Sequence, residues 1–157
     1  MSMYLNYEGI KGEATAEGHE EWIDIDTLSW GVSRALSAKT GTNQNREATS
    51  TTISEVTFTK ITDDATPYLF MESCVGKGKE VKIHLTKTDD TLQSYIEYTL
   101  RDCMISSYTV NSDGERPIET ISLSFTKIEL RYIPHDDQNN VATPVSQIYD
   151  VSLGKMV

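Results

Sequence analysis

Histidine, cysteine and paired aspartates are the side chains of this chain that could do chemistry. Histidines that bind one metal ion usually recur at short spacing, such as i and i+4, so that one helix or turn presents both rings. His19, His84 and His135 are far apart in the sequence, and neither cysteine adjoins a histidine. The spacing therefore predicts no metal site.

No catalytic motif accompanies these residues. The sequence contains no Gly-x-Ser-x-Gly elbow, phosphate-binding loop or dinucleotide fingerprint, so we expect no cofactor. His19 precedes two glutamates, but it stands in a glycine-bounded turn, where we expect a structural hydrogen bond to the backbone rather than acid–base chemistry. Adjacent acids lie at element ends, where capping explains them: Asp63–Asp64, Asp89–Asp90 and Asp136–Asp137. We therefore expect no enzymatic activity.

The two cysteines stand in unlike patterns. Cys74 falls in a helical pattern and Cys103 in a strand pattern, and nothing in the sequence pairs them. We expect two buried free thiols.

Net charge and chain length limit the classes to which this protein can belong. The 157 residues carry 14 Lys and Arg against 24 Asp and Glu, a net charge of −10. Nucleic-acid binding depends on cations that neutralise phosphates, so we expect no nucleic-acid partner. No apolar run approaches the roughly 18 to 20 residues that cross a membrane, and residues 1–8 lack the features of a secretory signal. We expect no membrane insertion, synthesis in the cytoplasm without a signal peptide, and one domain over residues 1–157.

Period-two alternation of apolar residues dominates the chain and predicts antiparallel β structure. Met3, Leu5 and Tyr7 define the inner face of a first strand. Later strands follow the same pattern, with apolar residues Ile23, Ile25, Ile53, Val56, Phe58, Val81, Ile83, Leu85, Ile96, Tyr98, Leu100, Met104, Tyr108, Val110, Ile121, Leu123 and Phe125. Residues 145–157 predict a short final strand.

One segment, 64–75, has helical periodicity instead. Asp63, Asp64 or Thr66 can cap its start, Pro67 is tolerated in the first turn, and two glycines beyond it provide the stop. Its apolar residues fall on one face: Pro67, Phe70, Met71, Cys74 and Val75. We therefore predict a mainly β fold, an antiparallel β-barrel with one flanking α-helix and long extended loops.

Two strand patterns change phase along their length. The first continues from Ile25 to Leu28, and the second from Phe125 to Ile128. Because a slip of one residue turns side chains to the opposite face, each shift predicts a bulge, a sharp bend or a strand that leaves the core for another surface. Residues 37–50 are almost free of apolar side chains and predict a long mobile loop, which is uncommon inside a compact domain unless it is functional.

Glycine-centred clusters and later segments together carry a family resemblance. The clusters are Gly9–Glu13, Gly18–Ile23 and Ser29–Ser33, and the later segments are Val56–Lys60, Asp63–Leu69, Cys74–Gly78, Leu100–Tyr108 and Ser122–Ile128. In this order and spacing they resemble the Hcp family (haemolysin-coregulated protein), the ring-forming tube and effector-carrier proteins of the type VI secretion system. The resemblance runs nearly from end to end.

The resemblance implies a structural protein. Family members are β-barrels with a flanking helix that assemble as homo-hexamers, and the rings stack into the inner tube of the apparatus. The partners so implied are other tube rings, the sheath and spike proteins and small effector proteins. The tube protein itself is secreted into the medium or into target cells by the type VI system.

Three sets of residues are expected to act within such a ring. A closed ring needs two different complementary patches on each subunit, and the phase-shifted residues are candidates for the subunit interface: Trp30, Val32, Ile128, Leu130 and Tyr132. Candidates for contact with the lumen and the effector are Thr27, Ser29 and Ser33. Candidates for ring stacking are Thr40, Gly41, Asn43, Asn45 and Arg46.

Two other classes of protein stay open at this point. A phage-type tail-tube subunit would share the barrel, the helix and the ring. A monomeric ligand-binding β-barrel would instead enclose an apolar cavity.

Overall fold

The structure is a computed structural model that describes residues 1–36, 50–88, 91–136, 138 and 140–157. These residues form twelve strands and one helix. In chain order they are β1 (Ser2–Tyr7), β2 (Ile23–Ile25), β3 (Thr27–Ser29), β4 (Val32–Ser33), β5 (Thr52–Ile53), β6 (Val56–Ile61), α1 (Thr66–Val75), β7 (Lys79–Thr88), β8 (Leu92–Asn111), β9 (Ile118–Ser124), β10 (Lys127–Tyr132), β11 (Val145–Asp150) and β12 (Lys155–Met156).

The strands form two layers that share β8. The first layer has the order β12-β11-β10-β8-β7-β1-β2, and the second joins β3, β6 and β9 to the far half of β8. All of these neighbours are antiparallel. β8 has 20 residues, of which the part up to Cys103 pairs with β7 and the part from Met104 onward pairs with β9. β4 and β5 form a separate two-stranded ladder.

The chain passes between the layers at three points. β8 does so at Asp102, whose φ of 51° lies in the left-handed region. A Cβ at Gly78 would overlap the Asp102 carboxylate, so a larger residue there would force this exposed side chain to move. The other two crossings are Asp26, between β2 and β3, and the Phe125–Thr126 link between β9 and β10. Both fall where the apolar pattern of the sequence changes phase.

The predicted mainly antiparallel β class with a single helix is confirmed for the described residues. The sheet, however, does not close into a barrel. Its hydrogen-bonded order ends at β2 and β12 in the first layer and at β3 in the second. The reason is the bend at Asp26, where one run of chain stops pairing with β1 and starts pairing with β6.

Apolar side chains from both layers fill the space between them. The fully buried ones are Leu5, Tyr7, Ile23, Phe58, Leu69, Val81, Ile83, Leu100, Cys103, Ile121 and Leu123. Burial of one such large side chain stabilises the fold by roughly 1.5–3 kcal/mol. The core therefore lies where the two layers overlap, under β1, β7 and the middle of β8.

Helix α1 faces the core with a side that the sequence pattern does not predict. Its buried residues are Leu69 and Glu72, and the Lys79 ammonium lies 2.5 Å from the Glu72 carboxylate. The predicted apolar face points outward instead: Pro67, Phe70, Met71, Cys74 and Val75 are all exposed. Burial of Leu69 and the contact with Lys79 fix this rotation.

The two cysteines are free, but only one is buried. Cys103 lies in the core, and burial raises the pKa of its thiol to about 12. Cys74 is exposed on α1, so the prediction of two buried thiols is wrong for Cys74. No helix among the described residues is long and apolar enough to cross a membrane.

A buried ionic network joins the second layer to the start of α1. Lys60 and Glu119 are both fully buried and lie opposite each other on β6 and β9. The Lys60 ammonium is 3.1 Å from Glu119 and 2.8 Å from Asp63. Thr66 and Tyr108 each donate a hydrogen bond of 2.7 Å to the Glu119 carboxylate. Every charged group of the network is therefore paired.

Burial alone would raise the pKa of Glu119. The hydrogen bonds from Thr66, Tyr108 and Lys60, together with the Lys60 charge, outweigh it and hold the pKa below the usual range. Burial and its own hydrogen bond to Glu119 raise the pKa of Tyr108.

Replacing Lys60 by methionine should destabilise the protein by about 3–5 kcal/mol, because the Glu119 and Asp63 carboxylates would stay buried without their cation. Urea unfolding followed by circular dichroism measures this loss. The double variant Lys60→Met, Glu119→Leu should recover only part of it, since the buried Glu119 charge is then removed but Asp63 still lacks its cation.

The matched surface control is Lys11→Met, which removes an exposed contact of 3.4 Å with Glu21 and should cost less than about 1 kcal/mol. A Lys60→Met variant as stable as the Lys11→Met variant would contradict the assignment.

Candidate functional site

The apolar inner face of the first layer continues beyond the core. Residues directly opposite each other on neighbouring strands share a face of the sheet. One such row crosses six strands and consists of Tyr7, Val81, Leu100, Ile128, Tyr149 and Met156. A parallel row consists of Leu5, Ile83, Tyr98, Leu130 and Gln147. The same sheet face thus runs from the core out to β12.

Burial falls along these rows. Leu100 is fully buried on β8 and Ile128 is 4% exposed on β10, whereas Leu130 is 39% exposed and Met156 is 55% exposed. The first layer has seven strands, whereas the second has only three strands and half of β8. The second layer is therefore too narrow to cover β10–β12. A surface with the composition of a core is therefore left open to solvent.

A second wall turns this open face into a groove. It consists of Trp30 and the β4–β5 ladder, and the Trp30 ring packs edge-on against Tyr98 with ring centroids 5.5 Å apart. The volume of the groove is about 310 Å³. Its lining residues carry no charge and are Trp30, Val32, Thr51, Ile53, Ile128, Leu130, Gln147, Tyr149 and Met156. We call this surface the apolar groove.

The structure brings four of the five predicted interface residues together in the apolar groove: Trp30, Val32, Ile128 and Leu130. Tyr132 lies on the same face of β10, but it is 51% exposed and stands outside the groove. The contributions of β5, β11 and β12 are absent from the sequence hypothesis. Gln147 and Tyr149 alternate along the sequence, which only weakly predicts a strand. The local sequence also does not indicate that this strand pairs with β10.

The outer face of the second layer carries a set of aligned hydroxyl groups. Cross-strand pairs place these side chains in two rows of four: Thr27, Thr59, Thr120 and Thr109, and Ser29, Thr57, Ser122 and Ser107. The Thr27 and Thr59 hydroxyls are 2.6 Å apart, and those of Thr57 and Ser122 are 3.0 Å apart. We call these eight residues the hydroxyl face.

Two of the three predicted lumen residues belong to the hydroxyl face. Thr27 and Ser29 are exposed members of it, whereas Ser33 is exposed on β4, in a different ladder. Alternating Ser and Thr on β6, β8 and β9 is the sequence signal that could have identified the rest. All of the predicted stacking residues, Thr40, Gly41, Asn43, Asn45 and Arg46, lie outside the described residues.

His19 has a partner other than the expected backbone group. Its Nε2 lies 2.9 Å from Nδ1 of His84, which is on β7. Trp22 and Tyr4 pack around the pair, with the Tyr4 ring stacked on His19 at 4.9 Å. The structural role predicted for His19 is thus met by another imidazole, which strand pairing brings close although the two are 65 positions apart.

Neighbouring groups determine the tautomers of the pair. Nε2 of His84 is 3.3 Å from the Glu97 carboxylate, so it carries the proton and leaves Nδ1 to accept from Nε2–H of His19. Burial lowers the pKa of His84 to about 4, with smaller contributions from the charges of His19, Lys82 and Arg131. Among the described residues, no three His, Cys, Asp or Glu side chains come together as a metal site.

Comparisons with known proteins found similar sequences and similar structures. The sequence profile of the family described as "Type VI secretion system effector, Hcp" matches residues 4–132. Protein hcp1 of Pseudomonas aeruginosa is 29% identical over 138 residues, which cover 85% of this chain and 84% of that protein.

Two solved structures are also similar. A type VI secretion system effector from Yersinia pestis is 25% identical with a TM-score of 0.74, covering 95% of this chain and 99% of that one. Hcp1 from Salmonella typhimurium is 20% identical with a TM-score of 0.79, covering 99% and 98%. The latter likeness concerns the fold alone.

Acidification should destabilise the protein through His84. The unfolded chain binds this proton near pH 6.5 but the folded chain only near pH 4, so the contribution is complete above pH 6.5 and is lost as the pH falls toward 4. We expect a loss on the order of 3 kcal/mol. Urea unfolding at several pH values in this window measures it.

The variant His84→Asn should have a flatter pH dependence over the same window, and His135→Asn serves as the matched control. Equal slopes for wild type and His84→Asn would show that other groups cause the acid sensitivity.

Proposed function

This chain belongs to the Hcp family of type VI secretion tube proteins, and from this membership we propose that six copies close into a ring. The rings stack into the inner tube of the apparatus, in contact with its sheath and spike proteins. The tube carries small effector proteins and is itself exported into the medium or a target cell.

The apolar groove is the observation that best supports a ring. Contiguous apolar surface left exposed on a folded subunit marks a binding surface, and contact with another protein is one of its main uses. A closed ring uses a heterologous contact, in which one patch meets a different patch on the next copy. Trp30, Val32, Ile128 and Leu130 supply the first patch in this proposal, and Tyr132 extends it along β10.

The hydroxyl face is our candidate for the lumen. Its Ser and Thr side chains offer hydrogen-bond donors and acceptors without charge, which suits contact with cargoes of different composition. Thr27 and Ser29 keep their proposed role in this surface. Ser33 is left out, because β4 is not part of the second layer.

Residues 37–50 are our candidate for the contact between rings. The segment is polar and long, and it contains the stacking candidates Thr40, Gly41, Asn43, Asn45 and Arg46. The sequence predicts a loop here, and loops of this length within a compact domain are commonly functional. No catalysis is assigned to any part of the chain, since a tube protein is a structural component.

Family membership favours the type VI tube over the phage-type tail-tube subunit. A monomeric ligand-binding barrel is disfavoured by the interior, where large side chains such as Tyr7, Phe58 and Leu100 fill the space between the layers. The apolar groove lies at the side of the first layer instead of inside the protein.

The solution mass of the purified protein tests the proposal directly. Light scattering during size exclusion should give six times the 17.6 kDa of one chain, or larger stacks. A mass of one chain over a wide concentration range would contradict ring formation by the protein on its own.

Replacing residues 37–50 with a short Gly-Ser linker should leave rings intact and abolish stacks, because the ring contact is assigned elsewhere. Electron microscopy of the assembled protein distinguishes the two levels of assembly. Loss of the rings themselves would show that the segment belongs to the contact within the ring.

Substituting Ser29→Gln should reduce retention of a small effector that is co-expressed with the protein, because a longer side chain on the hydroxyl face blocks close approach. The measurement is the amount of effector that elutes with the ring. Ser33→Gln is the matched control, and equal retention by both variants would remove the hydroxyl face from the lumen.

A further inference from the structure

A second uncharged apolar surface lies on helix α1. Its residues are large and exposed, with Phe70 57% exposed and Val75 74% exposed. The surface consists of Tyr68, Phe70, Met71, Cys74 and Val75, and we call it the helix stripe. It shares no residue with the lining of the apolar groove.

The two surfaces are alike in charge and opposite in shape. The only charged residue of α1 is Glu72, which is buried against Lys79 on the other side of the helix. The apolar groove is lined by uncharged residues alone. In a chain with a net charge of −10 and 24% charged residues, contact between these two sets of side chains buries no charge of their own. Lys77 and the Glu72–Lys79 pair border the stripe at Met71 and Val75. One surface is a convex helix and the other is a concave groove.

We propose that the helix stripe of one subunit docks in the apolar groove of the next subunit, as the second half of the ring contact. This inference rests on the proposed ring. In a closed ring with heterologous contacts, one patch of each subunit binds a different patch of the next subunit. Burial of apolar area supplies the attraction that like-charged subunits otherwise lack.

A charge placed on either surface should break the junction. Leu130→Glu disables the groove and Met71→Glu disables the stripe, and both positions are exposed enough for the subunit to fold. Under conditions in which the wild type forms rings, each variant should fall to the mass of one chain, an about sixfold loss. Val141→Glu, at an exposed apolar position outside both surfaces, should keep the wild-type mass.

Mixing the two variants tests whether the surfaces meet. The Met71→Glu subunit keeps an intact groove and the Leu130→Glu subunit keeps an intact stripe, so an equal mixture should form a species of two chains and stop there. Circular dichroism of each variant checks its fold before mixing. A mixture that stays at one chain overturns the pairing of these surfaces.

The native Cys74 gives a second measurement that places no charge on either surface. Cys103 is buried, so Cys74 in the stripe can pair with a cysteine introduced in the groove by Leu130→Cys. Oxidation should produce a ladder of more than two linked chains, because each subunit forms one bond at each surface. Adding Cys74→Ser should remove the ladder, and a ladder that persists overturns the proposal.

Failure of this inference and failure of the ring can be told apart. If the wild type and Met71→Glu both form rings, the junction is wrong and the ring remains. If the wild type itself has the mass of one chain, the proposed ring fails and the junction fails with it.

Discussion

Strand β8 is the element on which the rest of the structure depends, because it pairs in both layers. A strand that serves two layers must turn between them, and the left-handed backbone at Asp102 provides the turn. Gly78 leaves room for the Asp102 carboxylate beside this turn. The near half of β8 carries β10–β12 away from the second layer, and the far half carries that layer over the core. The core and the apolar groove are therefore two results of one bend.

Polarity is divided among the surfaces in a consistent way. The outer face of the first layer is charged, and Glu97 lies 3.8 Å from Arg131 and 3.3 Å from His84 there. The outer face of the second layer carries hydroxyl groups instead of charges. Ion pairing inside the protein is most complete in the network around Lys60, where each charge has a partner, and the buried Glu72 is paired with Lys79. The apolar groove and the helix stripe contain no charged side chain, so a subunit can bury these two surfaces at little electrostatic cost.

Alternation along single strands predicted the strands and the phase shifts, because both are local properties of sequence. The positions of Asp26 and of the Phe125–Thr126 link, where the chain changes layer, follow from the same local signal. Closure of the sheet could not be predicted, since it depends on which distant strand each half of β8 joins. The groove walls on β5 and β12 are set by such distant pairing as well.

Other features that the sequence did not predict have the same physical origin. Lys60 and Glu119 look like members of a polar strand face until strand pairing buries them together. Helical periodicity gave an apolar face for α1 but not its direction, because Leu69 and Glu72 decide which side packs inward. The His19–His84 contact joins a turn to a distant strand, and spacing along the chain contains no trace of it.

The order in which strands pair also has a consequence for how fast the fold can form. β1 pairs with β7, and β6 pairs with β9, so Met3 must find Leu85 and Val56 must find Leu123. Long chain segments must close before either contact gives any stabilisation, and such topologies fold slowly. While these strands wait for their partners, their apolar faces are open to other chains, and the strong negative charge is then a defence against aggregation during synthesis.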